Sequence, residues 1–278
     1  MTDALRAHLI GLANATGRPL GEVIRHHFLE VVLRRLAGDE SFALAGSMLT
    51  RVWAGAFPRA AADLDFLGTF AHGLDETARR FLTPLAGDCG DGVRIDPARG
   101  FAKGIWLDTP FPGVRLSVVA ELLGRTEATT VDVWFNDPLV PPAERLAYPT
   151  VWGEPVPVFA VHRATLAAWK LHGLAEWGVR TWRAKDVLDL WLLTAAPLPA
   201  ETLAVAIRAA FLARGFAVAD AERVLVDAAR WNDRTAQPRW AAVFKDGGAG
   251  PAPAKLTVAI ADIRARLSGP LSLLRTTP

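Results

Sequence analysis

The chain has 278 residues, of which 51% are hydrophobic and 22% are charged, values typical of a folded globular protein. This length accommodates one large or two small domains, and the composition excludes a disordered or fibrous protein. The formal net charge is only +2. Residues 201–278 carry eleven Lys and Arg against seven Asp and Glu, a weak indication of an anionic partner. The single cysteine excludes an intrachain disulfide and a cysteine-rich zinc site.

The sequence shows no targeting or membrane segment. Its N-terminus lacks the basic region and the long apolar run of an export signal. Arg and His residues interrupt every apolar stretch before the ~20 residues that a membrane-spanning helix requires. We therefore expect a cytoplasmic protein with no membrane association.

The first 137 residues alternate between the hydrophobic periods of helices and strands. The pattern predicts helices at 19–37, 48–53 and 75–86. It predicts strands at 41–45, 61–66, 104–107, 114–122 and 129–135. Together these elements indicate a small mixed sheet with helices.

Prolines then mark residues 138–157 as a loop-rich connection, and the shift in composition predicts a domain boundary near residue 158. Helical patterns follow at 163–174, 183–193, 201–214, 220–230 and 254–267. The predicted fold class is therefore α+β, a mixed β-sheet with helices followed by a C-terminal helical domain. The predicted organisation has three parts: an N-terminal helical segment at 1–40, a sheet domain at 41–158 and a helical domain at 159–278.

Asp63 and Asp65 lie in the second predicted strand. Because side chains alternate along a strand, both aspartates point to one side, ~6–7 Å apart, with Leu64 and Phe66 on the other side. Two carboxylates on one face suit Mg²⁺, and leaving them there without a cation would be costly. An isolated Asp-x-Asp is more often a solvent-exposed strand or turn, so the motif alone leaves both interpretations open.

Gly46 and Ser47 form a turn before a predicted helix, and fifteen residues separate Ser47 from Asp63. Backbone N–H groups and a hydroxyl at a helix start can bind a phosphate, although such a pair is usually a simple helix cap. The turn and the Asp-x-Asp strand, in this order and this close, favour a nucleotide held through its triphosphate and a metal ion.

Asp132 lies alone in an otherwise apolar strand. A carboxylate on the buried side of a strand needs a partner. The neighbouring sequence offers no Lys or Arg, so a metal ion shared with Asp63 and Asp65 would supply that partner. The alternative is that Asp132 faces solvent on an edge strand.

Lys170 ends an apolar helical face, where a buried ammonium group would require an anion such as a phosphate. Alternatively, its long side chain reaches the surface. Lys185 and Asp186 lie in the first turn of the next predicted helix, where the helix dipole favours Asp. Helix capping and a Lys185–Asp189 pair would explain these residues without a function.

Several other residues carry weaker predictions. Arg180 and Arg183, between the two helices, are candidate triphosphate contacts. His26 and His27 are predicted to form a surface pair. Ordinary core or surface roles are favoured for His162, His172 and the Trp residues, four of which are Trp169, Trp177, Trp182 and Trp191.

These segments resemble the nucleotidyltransferase superfamily that includes DNA polymerase β, and more closely the AbiEii/AbiGii type of toxin nucleotidyltransferase, the MenT-like toxins. The resemblance covers about residues 40–195. It rests on the following features: Ala45–Leu49, Arg59 four residues before the first Asp, Asp63-Leu64-Asp65-Phe66, Lys170, and the basic-Asp-x-x-Asp-Leu pattern at 183–190. Ala45 stands where a first glycine is common in this group, and Ala61 where Ser or Thr is usual.

The resemblance implies a nucleotidyltransferase-type fold, with residues 41–158 as the catalytic domain and residues 159–278 completing the active site. It implies Mg²⁺ or Mn²⁺ as cofactor and an NTP as substrate. The implied metal ligands are Asp63, Asp65 and Asp132; the implied catalytic residues are these three with Lys170 and Asp186; and the implied nucleotide-binding residues are Gly46, Ser47, Arg59, Lys170, Arg183 and Lys185.

The expected reaction is metal-dependent transfer of an NMP from an NTP to an acceptor. The resemblance implies a toxin of a toxin–antitoxin system, with tRNA as acceptor and a cognate antitoxin protein as a possible partner. The alternatives are transfer to a small molecule such as an aminoglycoside, transfer to a protein hydroxyl, and a non-catalytic nucleotide-binding protein that keeps the fold.

Overall fold

The computed structural model describes residues 2–55, 59–245 and 252–276. The chain divides into two compact units. Unit 1 comprises Met1–Val52, Ala60–Asp137 and Glu144–Ala160; unit 2 comprises Trp53–Arg59, Pro138–Ala143 and Val161–Pro278. The division into three parts that the sequence suggests stays a prediction.

Unit 1 contains a mixed sheet with helices. Its helices are α1 (Thr2–Thr16), α2 (Leu20–Arg35), α3 (Gly46–Ala54) and α4 (Leu74–Leu82). Its strands are β1 (Phe42–Leu44), β2 (Asp63–Gly68), β3 (Gly87–Asp88), β4 (Val93–Ile95), β5 (Ala102–Ile105), β6 (Gly113–Leu122), β7 (Arg125–Trp134), β8 (Glu144–Tyr148) and β9 (Val156–Ala160).

Within the described residues these strands form one nine-stranded sheet in the order β3-β4-β6-β7-β2-β1-β9-β8, and β5 pairs with β6 beside β4. β2 runs parallel to β7 and antiparallel to β1, while β6 runs antiparallel to β7 and to β5. β2 and β7 are therefore interior strands. The alternative that Asp132, on β7, sits on an edge strand is wrong.

The two faces of the central strands differ in polarity. On β6, Val114, Leu116 and Val118 are buried, whereas Arg115 and Ser117 between them are partly exposed. On β7, Val131 and Val133 point to the apolar face, and Asp132 between them points to the face of Arg115. One face of the sheet thus carries apolar core residues, and the other carries the polar and charged side chains.

Unit 2 is helical. Its helices are α5 (Arg163–Glu176), α6 (Ala184–Leu193), α7 (Ala200–Ala213), α8 (Asp220–Val226), α9 (Ala228–Trp231), α10 (Ala236–Ala241) and α11 (Leu256–Thr276). α5 packs against both α6 and α7, because each presents an apolar stripe at helical spacing to a shared core. The mixed sheet of unit 1 and these C-terminal helices confirm the predicted α+β class. In the described residues, none of the helices is both long and apolar enough to cross a membrane.

The main error of the sequence analysis lies in the proline-rich stretch at 138–157. The structure places β8 and the start of β9 there, although a loop was expected. β8 pairs only with β9 at the end of the strand order, and prolines are tolerated at strand ends and on edge strands. α1 lies within the N-terminal segment predicted to be helical, although no bounds were predicted for it, and the short strands β3 and β4 were not predicted.

Candidate active site

Three aspartates lie together on the polar face of the sheet in unit 1. Asp63 and Asp65 lie on β2, two residues apart, so both point to the same side. Asp65 is the Cα partner of Asp132 on the parallel strand β7, and paired residues of adjacent strands share a face. The backbone register therefore brings Asp63, Asp65 and Asp132 into one group, which we call the acidic cluster.

Gly46 begins α3 directly against Asp65. The backbone N–H of Ala45 donates a hydrogen bond to the carbonyl of Asp65 at 2.8 Å, which fixes the turn beside β2. Gly46 has a φ of +63°, and a Cβ atom there would lie 2.0 Å from Oδ2 of Asp65. Only glycine allows both this conformation and this close approach, so the predicted glycine turn is also part of the wall around Asp65.

Ser47 lies in the first turn of α3, and its Oγ atom is buried. This hydroxyl has no hydrogen-bond partner among the residues that the structure describes. A buried hydroxyl without a partner costs free energy. Its position next to Gly46 fits a group that receives a hydrogen bond from, or donates one to, a bound ligand.

Asp132 has a partner that the sequence analysis missed. Arg115, on the neighbouring strand β6, donates two hydrogen bonds of 2.7 Å, one from Nε to Oδ1 and one from Nη2 to Oδ2. The expectation that Asp132 lacks a cationic partner is therefore wrong, because the cation is supplied across the sheet by the Cα partner of Asp132. The hydrogen bonds to Asp132 raise the pKa of Arg115, and the charges of Asp63 and Asp65 act in the same direction.

The acidic cluster fits a divalent cation in part. Carboxylate oxygens are the ligands that Mg²⁺ prefers, and Asp63 and Asp65 present such oxygens on one face. Both oxygens of Asp132 accept hydrogen bonds from Arg115. In the described part of the chain, no three His, Cys, Asp or Glu side chains converge as metal ligands. Asp132 would therefore serve as a metal ligand only by leaving Arg115.

A second charged group lies within unit 2 and links α5 to α6. Nζ of Lys170 donates to Oδ1 of Asp186 at 2.9 Å and lies 2.9 Å from Oδ2 of Asp189. Nε and Nη2 of Arg59 donate to the two oxygens of Asp189 at 2.7 and 2.8 Å, and Nε of Arg183 donates to Oδ2 of Asp186 at 2.6 Å. These five residues are called the lysine cluster.

Opposite charges set the protonation states of the buried members of the lysine cluster. Burial lowers the pKa of Lys170, but Asp189 and Asp186 outweigh that effect and hold the pKa above its ordinary value. Burial raises the pKa of Asp189, but Arg59 and Lys170 outweigh it, so this carboxyl stays ionised. The side chain of Arg183 is 46% exposed, so its guanidinium is the part of the cluster that an anion from solvent can reach.

Asp189 was not predicted as a site residue. The structure buries Asp189 completely between Arg59 and Lys170, so the proposed Lys185–Asp189 pair is wrong and Lys185 is exposed. Lys170 is mostly buried, which also excludes the surface alternative for this side chain. An aspartate inside the apolar run Val187–Trp191 was the sequence signal for a buried charge that needs a partner.

The other weak predictions have mixed outcomes. His26 and His27 are buried rather than exposed, so the predicted surface pair is wrong. His162 caps α5 by accepting a hydrogen bond from the N–H of Ala164, and His172 is a core residue against Phe211 and Phe216. Trp182 and Trp191 are core residues, whereas Trp177 is exposed and Arg180 lies on the surface.

One known protein family matches most of this chain. The model of the family described as "Nucleotidyl transferase AbiEii toxin, Type IV TA system" matches residues 27–263. The chain belongs to the AbiEii nucleotidyl transferase toxin family. The resemblance inferred from the sequence motifs is confirmed, and the protein is a transferase of nucleotidyl groups.

Two solved structures that match this AbiEii family member share little sequence identity with it. The crystal structure of JHP933 from Helicobacter pylori has 14% identity and a TM-score of 0.46, covering 90% of this chain and 92% of that chain. A putative nucleotidyltransferase from H. pylori has 13% identity and a TM-score of 0.34, covering 86% and 93%. The search of curated proteins gave no match.

Proposed function

We propose that this AbiEii family protein is a metal-dependent nucleotidyltransferase that moves an NMP from an NTP to the 3′ end of an RNA, with tRNA as the acceptor. The observation that carries the proposal is the acidic cluster, in which Asp65 lies between the backbone of Gly46 and its register partner Asp132. Carboxylate oxygens that adjacent strands present on one sheet face are the ligand type that Mg²⁺ prefers.

Asp63 and Asp65 would hold Mg²⁺ or Mn²⁺, with Asp132 as a further ligand. When bound, the metal ion would supply Lewis-acid polarisation of the phosphates. The backbone at Gly46 and the buried hydroxyl of Ser47 would bind phosphate oxygens beside Asp65. The support for this role is the unpartnered Oγ of Ser47 and the closeness of Gly46 to the carboxylate.

The lysine cluster would bind phosphates of the nucleotide. The guanidinium of Arg183, which is open to solvent, supports this role. Lys170 and Arg59 are held in place by Asp186 and Asp189. Asp186 would orient Lys170 rather than react, and the exposed Lys185 would contact the nucleotide from the first turn of α6.

In the proposed reaction the oxygen of an acceptor hydroxyl attacks the α-phosphorus of the NTP. A bond forms between that oxygen and the α-phosphorus, and the bond from the α-phosphorus to the bridging oxygen breaks, so that pyrophosphate leaves. A carboxylate of the acidic cluster accepts the hydroxyl proton. Asp132 is the candidate for this role because it lies next to Asp65 on the adjacent strand β7.

The toxin–antitoxin family supports a cognate antitoxin as partner, and tRNA is the acceptor that the sequence resemblance implies. The test is incubation of the purified protein with total tRNA, Mg²⁺ and each α-³²P-labelled NTP in turn. Asp65→Asn should lower label transfer at least about a hundredfold, because it removes a metal-binding charge. The matched control is Asp75→Asn, an exposed aspartate on α4 of the same unit.

Label in the tRNA that disappears with Asp65→Asn and persists with Asp75→Asn would support the proposal and name the nucleotide. Absence of label from tRNA with all four NTPs, while a protein or small-molecule acceptor becomes labelled, would reject RNA as the acceptor. Equal labelling by the wild type and Asp65→Asn would reject the acidic cluster as the active site.

A further inference from the structure

The acidic cluster does not end at β7, because rows of paired residues continue across the polar face of the sheet. Lys103 on β5 pairs with Arg115 on β6, Arg115 pairs with Asp132 on β7, and Asp132 pairs with Asp65 on β2. Side chains of such partners share a face. One row therefore runs from a lysine to the catalytic carboxylates over three strand spacings, about 14 Å at ~4.8 Å each.

A second row lies beside the first. The carbonyl of Phe101 accepts a hydrogen bond from the N–H of Ser117 at 2.8 Å, which places Phe101 opposite Ser117 at the start of β5. Ser117 pairs with Thr130, and Thr130 pairs with Asp63. Both aspartates of β2 are thus the ends of rows that begin on β5.

Exposed aromatic side chains lie at the end of these rows that begins at β5. Phe101 is 53% exposed, and the ammonium of Lys103 lies 5.7 Å from the centre of its ring. Trp106 is 50% exposed and adopts a φ of +54°, which is uncommon for a residue other than glycine. A Cβ atom on Gly113 would lie 3.2 Å from the Trp106 ring. The absence of a side chain at Gly113 therefore leaves room for the indole on this face of the sheet.

Phe101, Lys103 and Trp106 form what we call the β5 strip. Two exposed aromatic rings on either side of a lysine suit a ligand that has flat apolar faces and regularly spaced negative charges. Single-stranded nucleic acid has both, since its bases stack on aromatic side chains and its phosphates pair with Lys and Arg. In the described part of the chain, Lys103 has no carboxylate partner in an ion pair, so its charge is available to a phosphate.

The continuity with the acidic cluster sets the direction of such a ligand. A strand that lies along the rows has its phosphates over Lys103 and its terminal hydroxyl toward Asp65 and Asp132. We propose that the β5 strip binds the single-stranded 3′ end of the acceptor RNA and leads its terminal hydroxyl to the acidic cluster. The inference rests on the proposed function for its direction, but RNA binding by the strip can be measured without nucleotide transfer.

The test measures binding of a single-stranded RNA oligonucleotide, labelled with fluorescein at its 5′ end, by fluorescence anisotropy in the absence of NTP. Phe101→Ala and Trp106→Ala should each weaken binding by about fivefold or more, the effect of losing one stacked base. Lys103→Ala should lower the slope of log K against log salt concentration by about 0.7, the loss of one phosphate contact on a single strand.

Matched control variants lie elsewhere on the molecule. Trp152→Ala removes a tryptophan that is 40% exposed in the same unit, between β8 and β9, and Lys255→Ala removes an exposed lysine in unit 2. Both controls should leave the RNA affinity within about twofold of the wild type, as surface substitutions outside a binding site do. Thermal melting of each variant establishes that the protein is folded.

The outcomes separate this inference from the proposed function. RNA affinity that is unchanged in all three strip variants, or a wild type that does not bind the oligonucleotide, would overturn the inference, even if label transfer to tRNA is observed. Loss of RNA binding in the strip variants alone would support it, even in a protein that transfers no nucleotide. Equal losses in the strip and control variants would also overturn it.

Discussion

Arg115 holds both oxygens of Asp132, and this pairing determines how the acidic cluster carries its charge. Asp63, Asp65 and Asp132 share one sheet face, and Arg115 supplies the cation that lies among them. Like charges on adjacent strands repel each other. The guanidinium therefore has the electrostatic role at Asp132 that a divalent ion would have, and a bound divalent ion would compete with it for this carboxylate.

Arg115→Gln should make stability depend on divalent ions. Without them, loss of the guanidinium leaves three neighbouring carboxylates and should lower the free energy of unfolding by about 1–2 kcal/mol, a value reduced because Arg115 is 38% exposed. Mn²⁺ should restore most of that loss, because the ion replaces the missing charge. Thermal melting with and without Mn²⁺ measures both effects.

The control is Arg99→Gln, which breaks a comparable ion pair with Glu121 away from the cluster. This variant should show no more response to Mn²⁺ than the wild type. An equal Mn²⁺ response in Arg115→Gln and Arg99→Gln would contradict competition at Asp132.

Local patterns predicted Asp63, Asp65 and Gly46 from the sequence, because strand alternation and a helix start depend on neighbouring residues. Arg115 and Asp189 were missed for a different reason. The pairing of Arg115 with Asp132 depends on the register between β6 and β7, and Asp189 depends on Arg59, 130 residues away. The apolar run around Asp189 indicates a buried charge, but the local residues do not show which distant cation pairs with it.

The N-terminus of α3 and the strand β2 are separate elements that meet at one point, the contact of Gly46 with Asp65. Gly46→Ala should displace the Asp65 carboxylate, because the new Cβ would lie 2.7 Å from Cγ as well as 2.0 Å from Oδ2. We expect label transfer to fall at least about tenfold. The backbone strain at this left-handed position adds about 1–2 kcal/mol of destabilisation.

Gly38→Ala separates the two effects. Gly38 has a φ of +88°, and nothing lies within 4 Å of a Cβ atom there. Its substitution should cost similar stability and leave transfer unchanged. A Gly46→Ala protein that transfers label as fast as Gly38→Ala would show that the approach to Asp65 has no part in the reaction.

The elements themselves were predictable where one hydrophobic period dominates. α5, α6 and α7 have apolar stripes at helical spacing, and their predicted bounds differ from the observed ones by two residues or fewer. β8 and β9 were not predicted, because six prolines at 138–157 indicate loops. Pairing between these two strands provides the hydrogen bonds that make them a sheet edge. Local propensity cannot show that tertiary contribution.

Each unit contains a buried histidine that is neutral in the folded state. Burial lowers the pKa of His27, in unit 1, to about 4, and the nearby charge of Arg34 acts in the same direction while Glu30 opposes it. Burial, together with Arg214, lowers the pKa of His172, in unit 2, to about 4. Both ring nitrogens of His27 lack hydrogen-bond partners among the described residues.

These shifts predict that the whole molecule loses stability in weak acid. An unfolded histidine has a pKa near ~6.5, so between pH 6.5 and 4 the unfolded chain binds a proton that the folded chain does not. The free energy of unfolding therefore falls as the pH falls through this window. Each histidine should contribute a loss of roughly 2 kcal/mol at pH 5 relative to pH 7.

Urea unfolding at pH 7 and pH 5 measures the loss, and His27→Leu and His172→Leu assign it. Each variant should retain nearly the wild-type stability at pH 7, because leucine fills a buried site without an unsatisfied N–H. At pH 5, each variant should lose less of its free energy of unfolding than the wild type does, by the amount that its own histidine contributes. The double variant should lack both contributions, since the two sites lie in different units and add independently. A double variant that loses as much stability at pH 5 as the wild type would place the acid sensitivity in other groups and contradict the neutral, buried state of both histidines.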